Sequence, residues 1–279
     1  MSSRPPGTGP PCSRPAPPNC TCTTPVWHRR LGSTCSKRRS TSSGPPTPPG
    51  RALPRHPSRR SPPMTELTQR LGDRPIVAVL RASESTAFLP VCDVLFDEGF
   101  PAVEITMTTP GALQVIADIR RRMPSDAVVG AGTVRTLAQV DGAIDAGAQF
   151  LVSQITSPEL VAAAAARGVP FIPGALTPTE IVHAWQLGVE AVKVSPVGPI
   201  GGLDYLAELI GPLPEIALFP TGGVLISQAA DYLDTGASII GLSRDLVRDA
   251  FNDGSLDELR ERARFVVDSV AARRTAQPA

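Results

Sequence analysis

Ala191-Val192-Lys193-Val194-Ser195 is the stretch on which the reading of this 279-residue chain turns. It is too short for a helix and almost continuously apolar, the pattern of a parallel strand buried on both faces. Seven runs of the same kind occur at 76–80 (IVAVL), 102–106 (AVEIT), 127–130 (AVVG), 150–153 (FLVS), 171–174 (FIPG), 216–219 (IALF) and 238–241 (SIIG). They recur roughly every 20–26 residues, the length of one strand-plus-helix unit. The intervening stretches have helical periodicity. Thr109-Pro110, Ser157-Pro158 and Thr177-Pro178 put a capping residue before a proline at the first helical position, and Gly99, Gly147, Gly168, Gly188 and Gly236 supply stops. Eight such units predict an α/β protein, a (β/α)₈ TIM barrel over residues 64–279. The competing arrangement is an open doubly wound sheet. It calls for a glycine-rich turn after the first strand, and Arg81-Ala82-Ser83 is not one.

The formal charge of +1 conceals a division. Residues 1–63 hold eleven Lys and Arg and no acid, while residues 64–279 hold 16 basic and 26 acidic residues and so carry −10. Sixteen of the 31 prolines also precede Met64, as do Cys12, Cys20, Cys22 and Cys35. A segment of this composition cannot bury enough apolar surface to offset its ordering entropy, so 1–63 is expected to be a disordered Pro/Arg/Ser-rich extension. Met64 is a candidate for the true start. The extension lacks the amphipathic pattern of a targeting peptide. Its one aromatic residue, Trp27, fits no nucleic-acid-binding motif. The cysteine spacing fits no zinc framework. No apolar run is long enough to span a bilayer, so a soluble, cytoplasmic protein is expected, with no membrane or nucleic-acid partner. Cys92 is expected to be a buried structural thiol.

In a barrel of this type the chemistry lies at the C-terminal ends of the strands. That rule selects Arg81, Glu104, Thr106, Thr133, Ser153, Gln154, Lys193, Thr221, Gly222, Gly223 and Ser243. Lys193 is the most telling. Residues 64–279 contain no other lysine beside fifteen arginines, and this one stands between two valines. Alternation sends its side chain to the face opposite theirs. Burial disfavours the ammonium form, and a neutral amine is what a carbonyl substrate needs to form an imine. The plainer alternatives are a lysine paired with an interior carboxylate, or one lying outward beneath a helix. Glu104, between Val103 and Ile105, has the same placement. It could hold Lys193 as an ion pair, shuttle protons, or do both. In Gly130-Ala131-Gly132-Thr133 the glycines are expected to admit a ligand close to the backbone, with the Thr133 hydroxyl beside it. Thr221-Gly222-Gly223 and Ser243 follow the last two strands, where such barrels bind phosphate. No metal-ligand spacing occurs in the body, and neither metal nor cofactor is expected.

Val77–Arg81, Val103–Thr106, Val129–Thr133, Val192–Val194, Pro220–Gly223 and Gly241–Ser243 together resemble the 2-keto-3-deoxy-6-phosphogluconate (KDPG) aldolases. That group includes the 4-hydroxy-2-oxoglutarate (KHG) and 6-phosphogalactonate (KDPGal) aldolases. The likeness runs in order over about 65–270. It implies a metal-free class I aldolase in which Lys193 forms the Schiff base and Glu104 moves protons. The substrate would be a phosphorylated keto acid, cleaved to pyruvate and glyceraldehyde 3-phosphate. Arg81 and Thr133 would bind the substrate carboxylate, and Thr221, Gly222, Gly223 and Ser243 the phosphate. The resemblance also implies a homotrimer. Three positions depart from it. Thr108 stands where one branch has an arginine, Gln154 where proline is usual, and Ser195 where phenylalanine is usual. Arg81 would supply the missing charge, as in the galactonate branch. The other readings are a phosphate-binding barrel isomerase or epimerase with Glu104 as base, and a nucleic-acid-binding extension on an inert barrel.

Overall fold

The computed structural model describes residues 66–276, with side chains to residue 273. The extension, with Cys12, Cys20, Cys22 and Cys35, lies outside the described residues. The strands are β1 Ile76–Leu80, β2 Ala102–Thr106, β3 Val128–Gly132, β4 Leu151–Val152, β5 Phe171–Ile172, β6 Gly174–Ala175, β7 Val192–Val194, β8 Leu218–Pro220 and β9 Ile240–Leu242. The helices are α1 Glu66–Leu71, α2 Phe88–Asp97, α3 Ala112–Arg122, α4 Leu137–Asp145, α5 Pro158–Ala166, α6 Pro178–Trp185, α7 Gly202–Ile210, α8 Ala229–Thr235, α9 Arg244–Val247 and α10 Leu256–Ala276. All strand pairs are parallel, in the orders β5-β4-β3-β2-β1-β9 and β6-β7-β8. The expected fifth strand is thus split in two at Pro173, which has no N–H to give a ladder. The result is an α/β fold built on a curled parallel sheet.

Strand alternation divides the apolar residues into two clusters. One, on the convex face, joins Ile76, Ala78, Leu80, Val103, Ile105, Val129, Ala131, Val192 and Val194 to the surrounding helices. The other, on the concave face, joins Val77, Ala102, Val128, Phe150, Ala191, Ala217, Phe219 and Ile239. Leu67 and Leu71 of α1 belong to this second cluster and floor it. Cys92 lies in the convex cluster, and burial pushes its thiol well above the ordinary range, with Asp93 adding to the effect.

Two of the three expected caps form. Ser157 accepts from the Leu160 N–H, and Thr177 with Glu180 closes a capping box. Thr109 does not cap α3, whose first turn follows Gly111 in the left-handed region at φ 72°. Its hydroxyl instead accepts from the Ala82 N–H at 3.4 Å and lies 3.4 Å from the Thr106 hydroxyl. The ends of β1 and β2 are thereby tied together, which the spacing of Thr109 from a helix start could not reveal.

Candidate active site

The concave face is layered along the strands. Above the apolar floor, ladder pairing aligns Val79, Glu104 and Gly130 on one side, and Gly174, Lys193 and Phe219 on the other. Lys193 and Glu104 meet across it. The Lys193 Nζ lies 3.4 Å from Glu104 Oε1, with the lysine 7% exposed and the glutamate fully buried. Glu104 Oε2 has no hydrogen-bond partner. A buried carboxylate oxygen without a donor is costly in a merely structural ion pair.

The two glycines of the Gly130–Thr133 segment do something other than the expected admission of ligand. A Cβ at Gly130 would overlap the Phe150 ring, and one at Gly132 would overlap the Glu104 carboxyl group. Their space is already filled by the protein's own side chains. Thr133 follows at φ 60°, in the left-handed region that a β-branched residue avoids. There its hydroxyl accepts from Arg81 Nη2 at 3.2 Å. Arg81 and Thr133 are therefore brought together at the rim. At Thr108 there is no guanidinium; its hydroxyl donates to Thr106 Oγ1 at 3.2 Å.

On the opposite side, the loops after β7 and β8 are joined by backbone bonds from Val197 to Thr221 and from Gly198 to Gly222. A Cβ at Gly222 would sit 3.1 Å from Pro196 Cα, and one at Gly223 would sit 2.9 Å from Gly198 Cα. Both glycines have positive φ, so space and backbone conformation each require them. Thr221 is buried and its hydroxyl has no partner. Gly223 and Ser243 line one cavity of about 790 Å³ together with Arg244 and Arg248 and the carboxylates of Asp245, Asp249 and Glu258. A second cavity of about 440 Å³ has Gln154, Gly174, Glu180, His183 and Ser195 in its wall. Gln154 and Ser195, far apart in sequence, thus share one pocket.

Three residues near the site are not among those the sequence reading selected. Phe150 beneath Gly130 is a long-range contact with no local signal. Gly174, paired with Lys193, looks in sequence only like the end of a strand. Arg244 directly follows Ser243 at the start of α9, an adjacency plain in the sequence. Among the described residues, no group of three or more His, Cys, Asp or Glu side chains could hold a metal ion. No helix there is long and apolar enough to cross a membrane.

An enclosed amine beside a carboxylate, with a guanidinium at one rim and the Gly222-Gly223 turn at the other, suits imine chemistry on an anionic keto acid. Comparison with known proteins points the same way. The family model for KDPG and KHG aldolase matches residues 67–261. The 2-dehydro-3-deoxy-phosphogluconate aldolase of Dickeya dadantii is 32% identical over 75% of this chain and 98% of its own length. A probable 2-dehydro-3-deoxy-6-phosphogalactonate aldolase of Rhizobium meliloti is 34% identical over 68% of this chain and 89% of its own. The crystal structure of the Legionella pneumophila KDPG aldolase, with pyruvate captured as a covalent carbinolamine, superposes with a TM-score of 0.62 at 25% identity, covering 75% of this chain and 98% of that one. With a buried lysine and glutamate on the strands that the sequence resemblance selected, the chain belongs to the KDPG and KHG aldolase family.

Proposed function

We propose that this protein cleaves 2-dehydro-3-deoxy-6-phosphogluconate to pyruvate and glyceraldehyde 3-phosphate through a Schiff base on Lys193, and also splits 4-hydroxy-2-oxoglutarate to pyruvate and glyoxylate. The observation that carries this reading is the buried Lys193–Glu104 pair, with the second glutamate oxygen unengaged. Glu104 takes a proton from Lys193 Nζ, and the freed amine adds to the C2 ketone to form a carbinolamine. Glu104, protonated, gives its proton to the departing hydroxyl, and water leaves an iminium. The resulting carboxylate takes the proton of the C4 hydroxyl, the C3–C4 electron pair moves into the iminium, and the aldehyde departs. Protonation of the enamine at C3 and hydrolysis then release pyruvate and free the lysine. Arg81 and Thr133 hold the C1 carboxylate. Thr221, Gly222, Gly223 and Ser243 hold the phosphate, with Arg244 adding charge.

A second reading, the KDPGal aldolase, is favoured by the Arg81–Thr133 contact at 3.2 Å and the absence of a charge at Thr108. In it the same chemistry acts on the C4 epimer. An isomerase or epimerase would use Glu104 as base and make no covalent adduct. Incubation with pyruvate and borohydride should add one reduced pyruvyl group to Lys193, read by peptide mass spectrometry. An unmodified Lys193 at saturating pyruvate would overturn the Schiff-base mechanism. Relative kcat/KM on the two epimers and on the unphosphorylated diacid assigns the substrate.

The frame belongs to the same reading. The sheet closes as a (β/α)₈ barrel between β8 and β9, a closure supported by the Ser238 N–H donating to the Leu218 carbonyl at 3.0 Å. Residues 64–279 form the catalytic domain, expressed from Met64 with full activity and with 1–63 contributing nothing to it. It works as a cytoplasmic homotrimer, a state that light scattering measures directly.

A further inference from the structure

We infer that Gly132 is a positioning residue for Glu104, its missing side chain being the space through which the glutamate reaches Lys193. Gly132 is the residue of β3 paired with Thr106, two residues beyond Glu104 on β2, so both face the concave side. An ideal Cβ there would overlap Glu104 Oε1 and lie 2.5 Å from its Cδ and 2.6 Å from its Cγ. Three successive atoms are involved, so turning the carboxyl group alone does not clear the overlap. The whole side chain would have to swing away from Lys193 Nζ, which is now 3.4 Å from Oε1. Backbone conformation does not explain this glycine. Its φ is not among the positive values of the chain, so alanine is sterically permitted on the main chain. Gly222 and Gly223 differ, because each has a positive φ and approaches a neighbouring loop. Gly130 differs too, since a Cβ there would meet the ring of Phe150 in the floor rather than a reacting group.

The inference rests on the proton-shuttling role given to Glu104 above. A double-mutant cycle of Gly132→Ala and Glu104→Ala tests it, with cleavage rate, pyruvate trapping and urea unfolding measured on each variant. Gly132→Ala should lower kcat by about 10²-fold or more, the scale of a lost general acid–base, with a much smaller change in KM. It should leave pyruvate trapping on Lys193 detectable and the urea midpoint near that of the parent, which a merely loosened fold would not. Glu104→Ala/Gly132→Ala should be no slower than Glu104→Ala alone, because the group displaced is already gone. Losses that multiply in the double variant would overturn the inference. If Gly132→Ala does not fold, the double variant decides: recovery of soluble protein with the Glu104→Ala rate supports the inference, and continued insolubility overturns it. An unimpaired Gly132→Ala beside a slow Glu104→Ala overturns the positioning role alone. Full activity in Glu104→Ala removes the proton shuttle, and this inference with it.

Discussion

On β7, Val192 and Val194 sit in the convex cluster against the helices, while Lys193 between them points to the concave side and meets Glu104. The same split recurs on β2, where Val103 and Ile105 face outward and Glu104 inward. The convex face is an apolar layer in which a side chain matters for its volume. The concave face changes character along the strands, from a floor of Leu67, Leu71 and Phe150, through the Lys193–Glu104 pair, to Arg81, Thr133 and Ser243 at the rim. Strand alternation therefore gives one face to apolar packing throughout and puts the Lys193–Glu104 pair on the other. On the concave face the two buried charged side chains, Lys193 and Glu104, lie opposite each other, as the cost of burying an unpaired charge requires.

Substitutions on the two faces can break this separation. The largest effect expected is on the concave side. Lys193→Met should reduce cleavage by about 10⁴-fold or more and abolish pyruvate trapping, as loss of a covalent nucleophile does. The same change leaves Glu104 buried without its cation, so thermal unfolding should come earlier as well. A variant that keeps measurable trapping would show that another amine does the chemistry. On the convex side, Ile116 of α3 is fully buried. Ile116→Ala should cost about 2–5 kcal/mol of stability through lost burial and a cavity, measured by urea unfolding, yet leave kcat of the folded fraction unchanged. A fall in kcat there would mean that the two faces are coupled through the sheet.

The smallest effect is expected further out, where α10 lies against α2. Hydrogen bonds from Arg264 and then Arg260 hold the Glu98 carboxyl below its ordinary value of 4.5. Because the folded state lowers this value, the cluster's stabilisation is complete above about pH 4.5. It is lost as pH falls through the lower, folded value. Both arginines are well exposed, so screening by solvent keeps the contribution modest. Glu98→Gln should weaken the acid dependence of the urea midpoint in that window, with no change in the pH–rate profile of cleavage. An altered rate profile would break the separation of outer charges from the interior pair.

Much of the site is legible in the amino-acid sequence, because its signals are local. One lysine between two valines is enough to predict an inward amine, and Glu104 repeats the pattern. Strand ends then select Arg81, Thr133, Ser243 and the paired glycines. The rest depends on contacts between distant segments. Gly130 and Gly132 look alike in sequence, yet one yields its space to Phe150 and the other to Glu104. Thr109 has the spacing of a helix cap, but the Ala82 N–H engages its hydroxyl first. Helix α1 precedes the first of the recurring strand–helix units, although its Leu67 and Leu71 prove to close the floor.

The sequence by itself determined the alternation of strands and helices, the faces on which Lys193 and Glu104 lie, and membership in the aldolase family. Those follow from periodicity and short motifs, which depend only on neighbours along the chain. Tertiary structure alone decided that Lys193 and Glu104, 89 residues apart, come within 3.4 Å. It also decided that Gln154 and Ser195 share a pocket, and that the room for the glutamate is a glycine on the next strand. The physical reason is that curling the sheet sets the distances across its concave face, and no spacing along the chain encodes them.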